Sequence, residues 1–227
     1  MSVTQGDNFR TTGRTYGEKT NPNDGGPMGF SYQHNDSRAQ KVALRRAILA
    51  ARHNRDPAVR ARDDLTVVNT LLAVGAELAP TRSPMTVAAY FPLPDEPGAG
   101  LPDRLLAAGH RVLLPVLLPD ADLDWAPYTG DTVAGARGIA QSTEASLGVS
   151  AIAAVDLVVV PALAVGPTGA RLGRGGGSYD RALARVGPTT PAVALLYDGE
   201  WPHHVPQEPH DRPVTAVITP KAGLTRW

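Results

Sequence analysis

The segment Gly169-Ala-Arg171-Leu-Gly173-Arg174-Gly175-Gly176-Gly177-Ser178-Tyr179-Asp180-Arg181 concentrates groups able to hold a polyanion. Successive glycines let backbone N–H groups converge, and the N-terminus of a following helix adds partial positive charge; together they form an anion cradle. Arg171 and Arg174 supply planar cationic forks that match phosphate oxygens. Asp180, just downstream, is a residue type that holds magnesium beside phosphates. The plain alternative is a glycine-rich surface loop. Two arginines and an aspartate framing the glycines favour the phosphate reading.

This is none of the common nucleotide or hydrolase loops. A G-x-x-x-x-G-K-[ST] loop is absent, since none of the three lysines (Lys19, Lys41, Lys221) directly follows a glycine. The G-x-G-x-x-G fingerprint fails because Gly173-x-Gly175 leads to Ser178. Gly176-Gly-Ser178-Tyr-Asp180 is no nucleophile elbow, for Asp180 stands where a second glycine is required. With no cysteine there is no disulfide, thiolate metal site or thiol nucleophile. His203, His204 and His210 cluster late in the chain, but adjacent histidines cannot both face one metal from regular structure; they are expected to be solvated loop residues.

Three further positions bear on the same chemistry. Lys41 and Arg45 stand at i, i+4, on one face of a helix, where two like charges repel unless an anion lies between them. Arg46 and Arg52 extend the alternative, a solvated basic face. Glu96, in Pro94-Asp95-Glu96-Pro97, follows a strand at the sheet edge where ligands bind. Asp211 lies between two strands near that edge, and its ordinary reading is a turn aspartate.

The elements that position these groups follow from periodicity and punctuation. Ser37 caps a helix running to about His53, with Val42, Ala43, Ala47, Ile48 and Ala51 at helical spacing. Asp56-Pro57 starts a second helix that runs to Gly75. Strand Thr86–Phe91, helix Leu101–Ala108 and strand Arg111–Leu114 make one β-α-β unit. Strand Leu157–Val160, a continuous apolar run of the buried parallel kind, then the Gly-rich loop, helix Ser178–Arg185 and strand Val193–Leu196 make a second. Val214–Ile218 is a last strand. Alternation of this kind predicts an α/β fold, with a mostly parallel sheet covered by helices on both faces.

At 227 residues, 42% hydrophobic, with 22 basic and 22 acidic residues, the chain lacks the positive excess of a nucleic-acid or anionic-membrane binder. The apolar runs Val112–Leu118 and 157–165 are shorter than the roughly 20 residues that span a bilayer. Residues 1–38 hold one Val and no Ile or Leu, and are expected to be a disordered arm ahead of a single domain over 39–227. The arm has no apolar stretch of the secretory kind, so the expected location is cytoplasmic.

Taken in order, Lys41–Arg45, Glu96, the strand 157–164, Gly169–Asp180 and His210-Asp211 resemble the 5-formyltetrahydrofolate cyclo-ligase family, also called methenyltetrahydrofolate synthetases. That family carries an N-terminal K-x-x-L-R, a strand ending in a glutamate, G-x-R-L-G-x-G-x-G-aromatic-Y-D, and H-D or N-D before the last strand. The resemblance covers about 39–227. It implies a three-layer α/β/α domain and ATP- and Mg2+-dependent closure of 5-formyltetrahydrofolate to 5,10-methenyltetrahydrofolate, by a monomer or weak homodimer. It assigns ATP to Lys41, Arg45 and the run Arg171, Leu172, Gly173, Arg174, Gly175, Gly176, Gly177, Ser178, Tyr179, with Arg174 closest to the transferring phosphate. It assigns magnesium to Asp180 and Asp211, and the folate to Phe91 and Glu96. Three positions depart from the pattern. Ser178 replaces an aromatic ring, Gln141 replaces the glutamate of G-x-x-E-P, and Gly166 replaces an aspartate. The loss at Ser178 keeps a second class open: a non-catalytic ATP- or folate-binding relative, or an ATP-dependent enzyme acting on another small molecule.

Overall fold

The computed structural model describes residues 28–80, 83–135, 139–208 and 211–227, and side chains from residue 36 onward. The disorder expected for residues 1–27, and the position of His210, lie outside the described residues. Helix α1 (Met28–His53) begins at Met28 rather than at the expected cap Ser37. Once a turn exists, each added residue gains a hydrogen bond without repeating the nucleation cost, which lets polar sequence prolong a helix.

The face of α1 that packs inward is not the one its apolar spacing indicates. Val42, Ala43, Ala47 and Ala51 are exposed, whereas Lys41, Ile48 and Arg52 are buried. Leu44, Ile48 and Leu49 pack on Leu163, Ala164, Ala170, Leu172 and Val205. Arg52 is therefore no part of a solvated face. Its Nε and Nη2 donate to the two carboxylate oxygens of Glu200 at 2.7 and 2.8 Å, and Nη2 also donates to the Ala162 carbonyl at 2.8 Å. Charge is tolerated inside because it is paired and hydrogen-bonded there.

Helix α2 (Pro57–Leu78) starts where Asp56 accepts from the N–H groups of Ala58 and Val59 at 2.9 and 3.0 Å, satisfying two donors that the first turn leaves unpaired. Strand β1 (Thr86–Ala88) is shorter than expected, since the chain turns away toward Pro92 and Pro94. Helix α3 (Leu101–Ala107) and β2 (Arg111–Leu117) complete the first unit. A hairpin absent from the sequence expectation follows: β3 (Leu123–Tyr128) runs antiparallel to β2. Short strands β4 (Thr132–Ala134) and β5 (Ala140–Ser142) pair with each other. After a 3-10 segment (Val149–Ala154), β6 (Leu157–Val160) falls where expected. The hairpin of β7 (Ala164–Val165) and β8 (Arg171–Leu172) leads through the Gly-rich loop to helix α4 (Ser178–Leu183). Strands β9 (Ala192–Leu195), β10 (Ala216–Thr219) and β11 (Gly223–Arg226) close the chain.

The main sheet has the order β11-β10-β9-β6-β1-β2-β3, with every inner pair parallel and both edge strands antiparallel. Alternate residues of β1, β6 and β9 point to opposite faces. Val87, Leu157, Val159 and Val193 meet Val67, Leu71, Leu101 and Leu105 of α2 and α3. Ala88, Val158, Val160 and Ala194 meet Ile152, Ala182 and Leu183. Helix α3, which follows β1, and α4, which follows β6, thus cover opposite faces. Between β1 and β6 the winding reverses, and a crevice opens beyond the strand C-termini, where open α/β sheets bind ligands.

The β7–β8 hairpin is seated by one close approach. At Gly169 (φ +88°) an added Cβ would lie 2.2 Å from the Val214 carbonyl oxygen, which also accepts from Trp227 Nε1 at 3.2 Å. Gly169→Ala is expected to destabilise the fold by more than the ~1–3 kcal/mol of a strained left-handed residue alone. Urea denaturation measures it, and a loss under about 0.5 kcal/mol would contradict the packing described.

Candidate active site

The crevice is a cleft of about 390 Å³. Every site residue expected from the sequence lines it: Lys41, Arg45, Phe91, Glu96, the whole of 171–180 and Asp211. Sequence reasoning missed Tyr90, Pro115, Leu117, Leu123 and Ile139, which add apolar surface from the ends of β1 and β2, the start of β3 and the approach to β5. No local signal marks them, because the β2–β3 hairpin that carries three of them was not expected.

The basic wall is assembled across the chain. Arg45 Nε donates to the Gly173 carbonyl at 2.8 Å, tying α1 to the loop. Gly175 (φ +102°) passes so close that a Cβ would stand 3.4 Å from the Arg45 guanidinium carbon, and its backbone conformation suits glycine alone. Arg171 is buried under the loop, donates from Nη2 to Asp180 at 2.9 Å, and lies 5.9 Å from the centre of the Tyr179 ring. Lys41 Nζ reaches Asp211 Oδ2 at 2.7 Å and Glu208 Oε2 at 3.6 Å. Asp211 is therefore more than a turn residue: Oδ2 also accepts the Glu208 N–H at 2.9 Å. Helix α4 is only six residues long, so its dipole adds little positive potential beside the loop.

Asp180 Oδ1 accepts the Arg212 N–H at 3.1 Å, which brings the residue after Asp211 onto the same rim as Asp180. Among the described residues no group of three His, Cys, Asp or Glu gathers to hold a metal. Two carboxylates on one rim are nevertheless a hard oxygen set. Carboxylate oxygen is the donor type that magnesium takes, one or two together with waters and phosphate oxygens, and here Asp180 is paired with Arg171 and Asp211 with Lys41.

Across the cleft, Glu96 is buried, and its Oε2 accepts the Leu93 N–H at 3.1 Å. Arg174 Nε donates to Glu96 Oε1 at 3.0 Å and Nη2 to Asp95 Oδ1 at 2.6 Å, joining the loop to the far lip. Burial pushes the Tyr179 and Tyr90 hydroxyls well above the ordinary phenol range, and the Glu96 carboxylate adds to both shifts, so both stay neutral. Tyr90 donates to the Pro97 carbonyl at 2.8 Å. Of the three departures Ser178 lines the cleft, whereas Gln141 and Gly166 do not. Ser178 opens α4, and Gln141 packs on Gly135. At Gly166 a Cβ would stand 3.3 Å from both Ala170 and the His203 carbonyl oxygen, so an aspartate there needs a local shift.

Residues 37–220 match the 5-formyltetrahydrofolate cyclo-ligase family. The chain belongs to that family. It is accordingly an enzyme of the cyclo-ligase kind. Among curated cyclo-ligases, it is 44% identical over 146 residues to that of Mycolicibacterium smegmatis, covering 61% of this chain and 75% of that one. It is 32% identical over 124 residues to that of Escherichia coli (strain K12), covering 52% and 68%. Among solved structures, the 5,10-methenyltetrahydrofolate synthetase of Aquifex aeolicus superposes with a TM-score of 0.67 at 26% identity, over 82% of this chain and 92% of that one. The synthetase of Mycoplasma pneumoniae superposes at 0.63 and 20% identity, over 80% and 99%, a likeness of fold. The three-layer fold expected of a cyclo-ligase is the one observed. Among the described residues no helix is long and apolar enough to cross a membrane.

Proposed function

We propose that the protein converts 5-formyltetrahydrofolate to 5,10-methenyltetrahydrofolate, with ATP taken as its magnesium complex and ADP, phosphate and the unchanged metal ion released. The observation that carries this reading is the single cleft in which the cationic, glycine-rich wall 171–177 faces Phe91 and the buried Glu96. One side suits a polyphosphate and the other a flat heterocycle with N–H donors.

The chemistry explains why both must meet. A formamide carbon is a poor electrophile and its oxygen a poor leaving group. Transfer of the γ-phosphoryl group to the formyl oxygen, with ADP departing, gives a phosphorylated imidate. N10 of the same folate then attacks the formyl carbon, loses its proton, and phosphate leaves with the former formyl oxygen. Because the attack is intramolecular, the protein's work is alignment and charge stabilisation. In this reading Lys41, Arg45 and 171–179 hold ATP, and Arg174 stabilises charge on the transferring phosphoryl group. Asp180 and Asp211 would hold magnesium, which neutralises phosphate oxygens. Glu96 accepts hydrogen bonds from the pterin while Phe91 covers its face.

The test is direct. Purified protein given 5-formyltetrahydrofolate, ATP and magnesium is expected to produce the absorbance of methenyltetrahydrofolate, and omission of any one of the three is expected to abolish it. No absorbance with all three present would overturn the reading. Ser178→Tyr is a second probe. A ring at the cleft adds stacking worth about 0.5–1.5 kcal/mol beyond burial, so the folate KM is expected to fall several-fold while kcat stays the same, the mark of uniform binding. Loss of activity in that variant would mean that Ser178 is fitted to another substrate.

A further inference from the structure

The Arg174 side chain stands between the two halves of the cleft and is held by the wrong half for a phosphate ligand. Its Nε and Nη2 form one edge of the guanidinium, and both hydrogens of that edge point at carboxylates, Glu96 Oε1 at 3.0 Å and Asp95 Oδ1 at 2.6 Å. Glu96 has both oxygens engaged, Oε1 by Arg174 and Oε2 by the Leu93 N–H. Glu96 is only 8% exposed, and the Arg174 side chain 40%. The carboxylate is the enclosed member of the pair and the arginine the exposed one, the member freer to change partner. The loop that carries Arg174 is glycine at 173, 175, 176 and 177, and with Gly173 tied to Arg45 at 2.8 Å the swing is one of the Arg174 side chain.

We propose that Arg174 is shared between the two ligands, with Asp95 and Glu96 as its holding anions, so that folate and nucleotide bind cooperatively and Asp95 sets how strongly. This rests on the function proposed above. The pterin edge of a folate presents an amino group and a ring N–H, a pair that matches a carboxylate. Once those donors engage Glu96, the Nε contact of Arg174 is displaced and Asp95 alone retains the guanidinium. A nucleotide phosphate then competes against one carboxylate instead of two. By reciprocity, a phosphate that draws Arg174 away uncovers Glu96 for the pterin, and the two effects are equal in free energy. Asp95 touches neither ligand in this scheme. It is a positioning residue acting through Arg174.

The scheme makes an expectation that a plain phosphate-binding arginine does not. Arg174→Gln removes a group that competes for Glu96, so the variant is expected to bind 5-formyltetrahydrofolate more tightly than the native chain when no nucleotide is added. Calorimetric titration of the full chain with 5-formyltetrahydrofolate, with and without a non-hydrolysable ATP analogue, measures this. The native chain is expected to show coupling of about fivefold or more between the two ligands, the lower end of allosteric coupling. In Arg174→Gln the folate Kd is expected to fall several-fold and the coupling to vanish. Asp95→Asn is expected to tighten the ATP analogue alone several-fold, with Asp95→Glu returning it toward the native value. Weaker folate binding in Arg174→Gln, or coupling that survives there, overturns the proposal while the proposed reaction stands. Native protein that binds the ATP analogue but no folate defeats the proposed reaction, and the sharing scheme with it.

Discussion

Arg174→Ala is expected to lower kcat by about a hundredfold to a thousandfold, the range seen when one donor to developing charge is lost, roughly 2.7–4 kcal/mol. The size follows from position. Arg174 leaves the exposed tip of the glycine run and reaches the cleft from the loop side, where a transferring phosphoryl group would pass. Lys41→Ala is expected to act differently, raising the ATP KM with a smaller change in kcat. Its ammonium sits on helix α1, held at 2.7 Å by Asp211, and in the proposed function it would act as a point charge on ground-state phosphates. Steady-state kinetics of both variants separate the roles. Small, equal changes in the two would show that this loop does not meet the reacting phosphate.

The second large effect lies outside the cleft. Arg52→Leu is expected to remove about 3–5 kcal/mol of stability, because it strands the buried Glu200 carboxylate without its counter-charge. For a chain of this size that is a fall in Tm of about 6–20 °C. The Tyr197 N–H still reaches Glu200 at 2.9 Å but cannot neutralise it. Replacing both members, Arg52→Leu with Glu200→Leu, is expected to recover part of the loss, since two well-packed apolar groups carry no desolvation penalty. Differential scanning calorimetry of the single and double variants decides the matter. A single-variant loss below about 1 kcal/mol would mean that water reaches Glu200.

These two arginines also show what was legible in the sequence. Arg174 was, because its chemistry is local: glycines, arginines and an aspartate within a dozen positions announce an anion site. Arg52 was not. Its partner lies 148 positions away, and an arginine on a helix reads by default as solvated. One signal was available. Arg52 follows Ile48 by four residues and Arg45 by seven, so it shares the face that carries the site residues, while the alanines at 43, 47 and 51 mark the outer one. Small apolar residues fit either surface and therefore misled. The parallel strands were legible as unbroken apolar runs, and β6 was read to the residue. Strand β3 was missed because Leu-Asp-Trp-Ala-Pro-Tyr mixes an acid and a proline into its alternation; the proline at 127 is tolerated there because β3 is an edge strand.

The bond from Arg45 to Gly173 spans 128 positions, and that from Lys41 to Asp211 spans 170. Ribosomes deliver the chain in order, at about 5–20 residues per second, so the first basic helix emerges many seconds before the loop and the aspartate it meets. A nascent chain ending before Arg171 holds Lys41 and Arg45 without the glycine-rich loop, and one ending before Asp211 still lacks the carboxylate that Lys41 meets. The cleft, which takes its lining from both Lys41 and Asp211, is thereby complete only when synthesis is nearly finished.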